Sequence, residues 1–162
     1  MILLIRDNEC FEPRVNNYIR YFTENRIPYR VVGWDRGGTG KTAENSVFFR
    51  RRAEYGKRIA NIPNKLAWMA FVVGQIIKAG KDCTVIHACD IDAAIPALFA
   101  GRLLGKKVVF DIFDWISPFH GRSLVYTMVE WMQNLAYRCA DHVILCCEAC
   151  GHQVAWVADV NG

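Results

Sequence analysis

Residues 83–118, CTVIHACDIDAAIPALFAGRLLGKKVVFDIFDWISP, decide the fold. Cys83 to Ala88 is an apolar run of strand length that meets an acidic turn at Asp90 and Asp92. An apolar segment then closes at Gly105, and Lys107 to Phe110 forms a second such run with its own acidic turn, Asp111 and Asp114. The pattern predicts strand, helix, strand. A crossover of this length joins parallel strands, so both acidic turns fall at one edge of the sheet, where open α/β sheets take their ligands.

At 162 residues, 52% hydrophobic and 22% charged, the chain fits one globular domain with a real core, and a second domain is not expected. Its 20 basic and 16 acidic residues give a net charge of +4, compatible with phosphate or anionic lipid but short of a nucleic-acid binder. Seven cysteines, an odd number, sit mostly in apolar runs (Cys83, Cys139, Cys146) and read as reduced thiols in a cytosolic setting. The opening MILLIRDNEC reaches charge at Arg6, too early for a signal peptide. The longest apolar segment, Leu66 to Ile77, is well short of the roughly 20 residues needed to span a bilayer. The expected location is cytoplasmic, with a peripheral seat on the inner face of the membrane left open.

Outward from the central unit, Ile2 to Ile5 reads as a strand covered on both faces, and Tyr29 to Trp34 as the next. Between them Pro13 opens a helix, running to Asn25, whose Val15, Tyr18, Ile19 and Phe22 share one side. Arg14 stands at the head of that helix, a position suited to an anion or to a plain solvated charge. In DRGGTGKT, residues 35–42, Gly40, Lys41 and Thr42 match the end of a phosphate-binding loop, but Asp35 replaces the leading glycine and no apolar helix follows. An ATPase is therefore the lesser alternative to a glycine-rich loop. Arg50, Arg51, Arg52, Lys57 and Arg58 form the densest basic patch, read either as a contact for anionic phospholipid or lipid phosphate or as a solvated edge.

Pro63 to Gly80 bounds a helix that is apolar almost all round, which predicts deep packing over a membrane or partner contact. Ser123 is placed to cap a helix carrying Leu124, Val125, Met128, Val129, Met132, Leu135 and Ala136, and Asp141 to Cys146 reads as a buried strand. Strands alternate with helices, which predicts a Rossmann-like, doubly wound, mostly parallel α/β sheet flanked by helices, one domain over residues 1–150 with an irregular tail at 151–162.

The acidic turns carry the candidate chemistry. His87 and Asp90 follow one strand and Asp111 and Asp114 the next, and carboxylates so placed accept hydrogen bonds from several hydroxyls of a sugar or polyol, one serving as a general base. Each also has a purely structural reading: Asp92 as a helix N-cap that keeps Pro96 near the first turn, Asp111 as a strand-end cap, His87 as a half-buried core histidine. Cys146, Cys147, Cys150 and His152 have ligand character but lack a second ligand pair, so no metal is expected.

Four stretches together resemble the N-terminal domain of family 4 glycosyltransferases, the retaining enzymes of the GT-B fold: ILLIRDNECFEPRV, YRVVGWDR, the central segment from Val85 to Pro118, and EWMQNLAYRCADHVILCCEA. The resemblance spans roughly residues 1–150. It implies the acceptor-side half of a retaining, nucleotide-sugar-dependent transferase acting on a glycan or lipid-linked acceptor. The donor would be held by a second Rossmann-like domain or partner subunit, so no cofactor is expected on this chain and it would be inactive alone. Arg14, Asp90, Asp111, Asp114 and Glu148 match the family's pattern, whereas Phe113 and Cys89 stand where two histidines are usual. The alternative is a non-catalytic subunit of a split glycosyltransferase, one that recruits a partner to the membrane through the arginine patch and the Leu66 to Ile77 helix.

Overall fold

The computed structural model describes residues 1–7, 12–40, 42–54, 60–113 and 124–145, with side chains of the last segment described from residue 127. Six parallel strands form one sheet: β1 (Ile2–Arg6), β2 (Tyr29–Asp35), β3 (Ser46–Arg50), β4 (Val85–Cys89), β5 (Lys107–Asp111) and β6 (His142–Ile144), in the order β3-β2-β1-β4-β5-β6. Four helices accompany them: α1 (Pro13–Glu24), α2 (Ile62–Ala79), α3 (Ile91–Leu103) and α4 (Leu124–Cys139). The strand order reverses between β1 and β4, the crevice at which doubly wound sheets bind ligands.

Side-chain parity sorts the strands onto two faces. Leu3, Ile5, Val32, Trp34, Ile86, Ala88, Val108 and Phe110 point into one core layer, shared with Trp68, Val72 and Ile76 of α2, the alanines of α3 and Ala136 of α4. Leu4, Val31 and Cys89 point the other way, against Val15 and Phe22 of α1. Helices on both sides explain why the central strands lack the polar alternation of a half-exposed sheet. Trp34 and Trp68 stack with ring centroids 5.8 Å apart and join β2 to α2, and the Trp34 indole N–H donates to the Arg51 carbonyl at 2.8 Å.

The connection from β2 to β3 contains no helix among its described residues, as the lack of an apolar run after Thr42 implied, so the alternation of strand and helix breaks there. In its place Asp35, buried at the end of β2, accepts the amides of Thr39 at 2.9 Å and Gly40 at 3.0 Å and folds the loop back on itself. The N-cap of α3 is Asp90, not Asp92. Asp92 lies in the first turn and ion-pairs with Lys65 of α2, and Pro96 consequently falls inside the helix. Finally, α2 packs along Trp68, Val72, Ile76 and Ala79 but leaves Leu66 and Ile77 exposed, so its packing is one-sided.

No helix among the described residues is long and apolar enough to cross a membrane. Ser123, the anticipated cap of α4, and the tail at 151–162 lie outside the described residues.

Close approach of α3 to the sheet depends on Gly101. A Cβ there would stand 2.8 Å from Val108 Cγ2 and 3.0 Å from Ile86 Cδ1, whereas one on Gly74, in α2, would meet nothing within 4 Å. Gly101→Ala is expected to destabilise the fold by about 1–2 kcal/mol net, overpacking outweighing the gain in helix propensity. Gly74→Ala is expected to stabilise it by roughly 0.5–1 kcal/mol. Urea unfolding of the two variants beside the parent checks both signs.

Candidate functional site

Register brings the charged strand ends level. Arg6 pairs across the sheet with Cys89, and Cys89 with Asp111, so the last residues of β1, β4 and β5 form one row at the carboxyl edge. By parity all three face α1, which places Arg14 above them. The Arg14 guanidinium meets Asp111 Oδ1 at 2.6 Å, and His87 Nε2 lies 3.1 Å from Oδ2 of the same carboxylate. Asp111 has 0% side-chain exposure. A carboxylate so enclosed is tolerated only with partners on its oxygens, and here an arginine and a histidine supply them. Tyr18 closes the group, its ring 4.6 Å from that of His87 and its hydroxyl 3.4 Å from Arg14 Nε.

These contacts shift the neighbours in consistent directions. Burial works against the charge on Arg14, but the Tyr18 hydroxyl and the Asp111 carboxylate outweigh it and hold its pKa above the ordinary value. Burial pushes the Tyr18 phenol up to about 12, with the hydrogen bond to Arg14 opposing and Asp111 assisting.

Asp90 is the strained residue of the site. Its backbone has φ +63° and ψ 170°, a region used almost only by glycine, which costs on the order of 1–3 kcal/mol. The surroundings hold it there: its N–H donates to the Asp111 carbonyl at 2.8 Å, its Oδ1 accepts the Phe113 amide at 2.9 Å, and its Oδ2 ion-pairs with Arg6. Arg6 also reaches Glu12 at 3.0 Å, and the guanidinium groups of Arg6 and Arg14 lie 4.4 and 4.6 Å from the centre of the Phe113 ring. Phe113 thus lies within cation–π reach of both guanidinium groups.

A second charged chain crosses the switch point. Arg36 ion-pairs with Asp7 at 2.6 Å, and Asp92 ion-pairs with Lys65. Burial first, and the Asp92 charge second, push the Asp7 carboxyl up to about 6.

Of the residues anticipated from sequence, Arg14, His87, Asp90 and Asp111 therefore come together within one cluster. Asp111 and His87 are buried and paired, which makes them positioning groups, while Asp90 and Arg14 keep 19% and 28% side-chain exposure. Asp114 and Glu148 lie outside the described residues, as do Lys57, Arg58 and the Cys146–His152 group. Arg50, Arg51 and Arg52 are exposed at the end of edge strand β3, away from the β4–β5 row. Sequence reasoning missed Arg6, Asp7, Glu12, Tyr18 and Arg36. A charged residue closing a buried strand, as Arg6 does, was the available signal.

His87, Cys89 and Asp111 present donor atoms within 4.8 Å of one another, a spacing that invites a metal. The Arg14 guanidinium already occupies the Asp111 carboxylate, and a cation added beside it meets like charge, so these residues do not favour one. The phosphate-loop reading also loses its chemistry. The Thr39 and Gly40 amides that would cradle a phosphate are taken by Asp35, whose carboxyl burial raises but these amides hold below the usual carboxylate range.

Comparison with known proteins adds three findings. The family model described as "Glycosyl transferase 4-like domain" matches residues 12–160. No curated protein matches the chain. Among solved structures, it is similar to the dTDP-glucose 4,6-dehydratase of Bacillus anthracis str. Ames in complex with NAD, at 14% identity and a TM-score of 0.41, covering 90% of this chain and 53% of that one. The chain thus spans about half the length of that structure.

Two outcomes follow from the geometry. Arg14→Ala strands a buried carboxylate and is expected to cost roughly 2–4 kcal/mol, much of it recovered in Arg14→Ala/Asp111→Asn, as a double-mutant cycle by chemical denaturation will read. For Asp7 the folded pKa lies above the unfolded one, so the folded chain binds the extra proton. Its contribution to stability is full below about pH 4 and is lost as pH rises past about 6. Asp7→Asn should flatten the fall in melting temperature across that window, and an unchanged slope would show that Asp7 does not carry it.

Proposed function

Because the chain belongs to the glycosyl transferase 4-like domain family, we propose that it is the acceptor-binding half of a retaining, nucleotide-sugar-dependent glycosyltransferase acting on a glycan or lipid-linked acceptor. The observation that carries this reading is Asp90: a carboxylate held at the mouth of the β1–β4 crevice, in a backbone conformation that stability alone does not favour. Strain of this kind persists where neighbours over-determine it, and here the neighbours are Arg6 at the end of β1, Asp111 at the end of β5 and the Phe113 amide just beyond it.

In this reading Asp90 accepts a hydrogen bond from the acceptor hydroxyl and fixes its oxygen for attack on the anomeric carbon of the donor sugar. The glycosidic bond forms as the bond to the nucleoside diphosphate breaks, and the proton of the acceptor hydroxyl leaves on the departing diphosphate oxygen. Arg14, anchored by Asp111, contributes positive potential on the same side and would favour a phosphate carried by the acceptor. His87 and Asp111 move no proton; they hold Arg14 in place. The donor and its diphosphate belong to a second Rossmann-like domain or subunit facing this edge, so this half supplies mainly orientation.

Sugar transfer by the purified chain, with and without a donor-binding partner protein, tests the proposal. Transfer is expected only in the pair, and Asp90→Asn, which keeps an acceptor for the Phe113 amide but loses the ion pair to Arg6, is expected to lower it by about 10²-fold under conditions where circular dichroism shows the variant folded. Robust turnover by the chain alone, or full activity of Asp90→Asn, would contradict it.

A further inference from the structure

One end of the sheet is the strand β3, hydrogen-bonded to β2 alone among the described residues. The Val31 amide donates to the Asn45 carbonyl at 2.8 Å while Val31 stands level with Ser46. In a parallel ladder this phase turns the backbone groups of Asn45, Val47 and Phe49 toward β2 and those of Ser46, Phe48 and Arg50 outward. The Ser46 N–H is met by the Ala43 carbonyl at 3.2 Å, but among the described residues no partner meets the Ser46 carbonyl, either backbone group of Phe48 or the Arg50 N–H. A row of this kind is a template for another strand. The side chains are also incompletely covered. Val47, Phe48 and Phe49 are each only partly buried, and the described part of the β2–β3 connection carries no helix to lie over Phe48 on the α1 side.

The strand is complementary to its own reverse. Antiparallel pairing of two β3 strands about Phe48 sets Ser46 against Arg50, Val47 against Phe49 and Phe48 against itself. Outward residues then fall opposite outward residues, so the two Phe48 backbones exchange both of their hydrogen bonds, and the apolar side chains meet in cross-strand pairs. Charge selects this sense. Exposed Arg50, Arg51 and Arg52 stand at one end of the segment and exposed Glu44 at the other, so antiparallel strands bring the arginines of one copy toward the glutamate of the other. Parallel pairing in register would place three arginines on three arginines, which like-charge repulsion opposes.

We propose that β3 is a dimerisation edge, at which two copies of this chain join through antiparallel β3 strands centred on Phe48 and merge their six-stranded sheets into one. The contact is isologous and closes at two. Its two-fold axis runs perpendicular to the sheet, so the carboxyl edges of the copies point in opposite directions and each β1–β4 crevice stays open. The proposal does not depend on the transferase reading. Strands of five residues bury little area, so the dimer is weak and concentration-dependent.

Sedimentation equilibrium of the full chain over a concentration series is the test, with circular dichroism to show that each variant is folded. A reversible monomer–dimer equilibrium is expected. Phe48→Lys, which sets like charges against each other on the axis, should weaken it by about tenfold or more. Ser46→Glu faces Arg50 of the other copy and should tighten the dimer by about fivefold, Ser46→Arg should loosen it by about as much, and Ser46→Arg/Arg50→Glu should restore it. A gain in affinity does not arise from damage to the fold, so Ser46→Glu keeps the test decisive if Phe48→Lys unfolds. A chain that stays monomeric throughout, a dimer indifferent to the substitutions at Ser46 and Phe48, or assembly that continues beyond two copies would overturn the proposal.

Discussion

A carboxylate with no access to solvent sets the terms for this molecule. Asp111 ends a buried strand, and both of its oxygens must be met by donors from other parts of the chain. Arg14 comes from α1 and His87 from β4, so the group ties a helix and two strands to one point at the carboxyl edge. Left with one partner missing, such a group costs several kcal/mol, so the relative placement of α1 and the sheet is specified and not merely allowed. The backbone of the same residue then holds Asp90 in its strained conformation, by accepting the Asp90 amide. Site geometry and fold stability are therefore one problem here, solved by the same contacts.

Much of this was legible in the sequence, for physical reasons. Continuous apolar runs named the buried strands, and the crossover from Cys83 to Phe110 put both acidic turns on one edge, as the Asp90–Asp111 hydrogen bond shows. That His87 and Asp111 share a face is set by the β4–β5 register, Cys89 against Asp111. Which helix covers that face was not legible, because it depends on the handedness and order of the whole sheet, and so the Arg14–Asp111 pair was out of reach. The N-cap of α3 was misjudged by two residues because capping preference favours Asp at either position, and only the tertiary demand of Lys65 on Asp92 and of Arg6 on Asp90 separates them. The β2–β3 loop was likewise ambiguous: a glycine-rich turn beside a strand fits a phosphate or an internal carboxylate equally well until Asp35 is seen to fill it.

The two sides of the sheet divide the work. The α1 side carries the paired charges that build the edge cluster, and the α2–α4 side carries the large aromatic core, with Trp34, Phe49, Trp68 and Phe71 in mutual contact. The aromatic core anchors β2 to α2, while Arg6 at the end of β1 ion-pairs with Asp90 at the head of α3. Membership of the glycosyl transferase 4-like family gives this edge its chemical context.

The most direct measurement of the central claim is an amide chemical-shift titration of the chain with a candidate glycan or lipid-linked acceptor. The account predicts that the largest shifts fall on Asp90, Phe113 and the head of α1 around Arg14. Shifts confined to the Gly38–Gly40 loop or to the outer face of α2–α4, with the Asp90 and Phe113 amides unmoved, would contradict it.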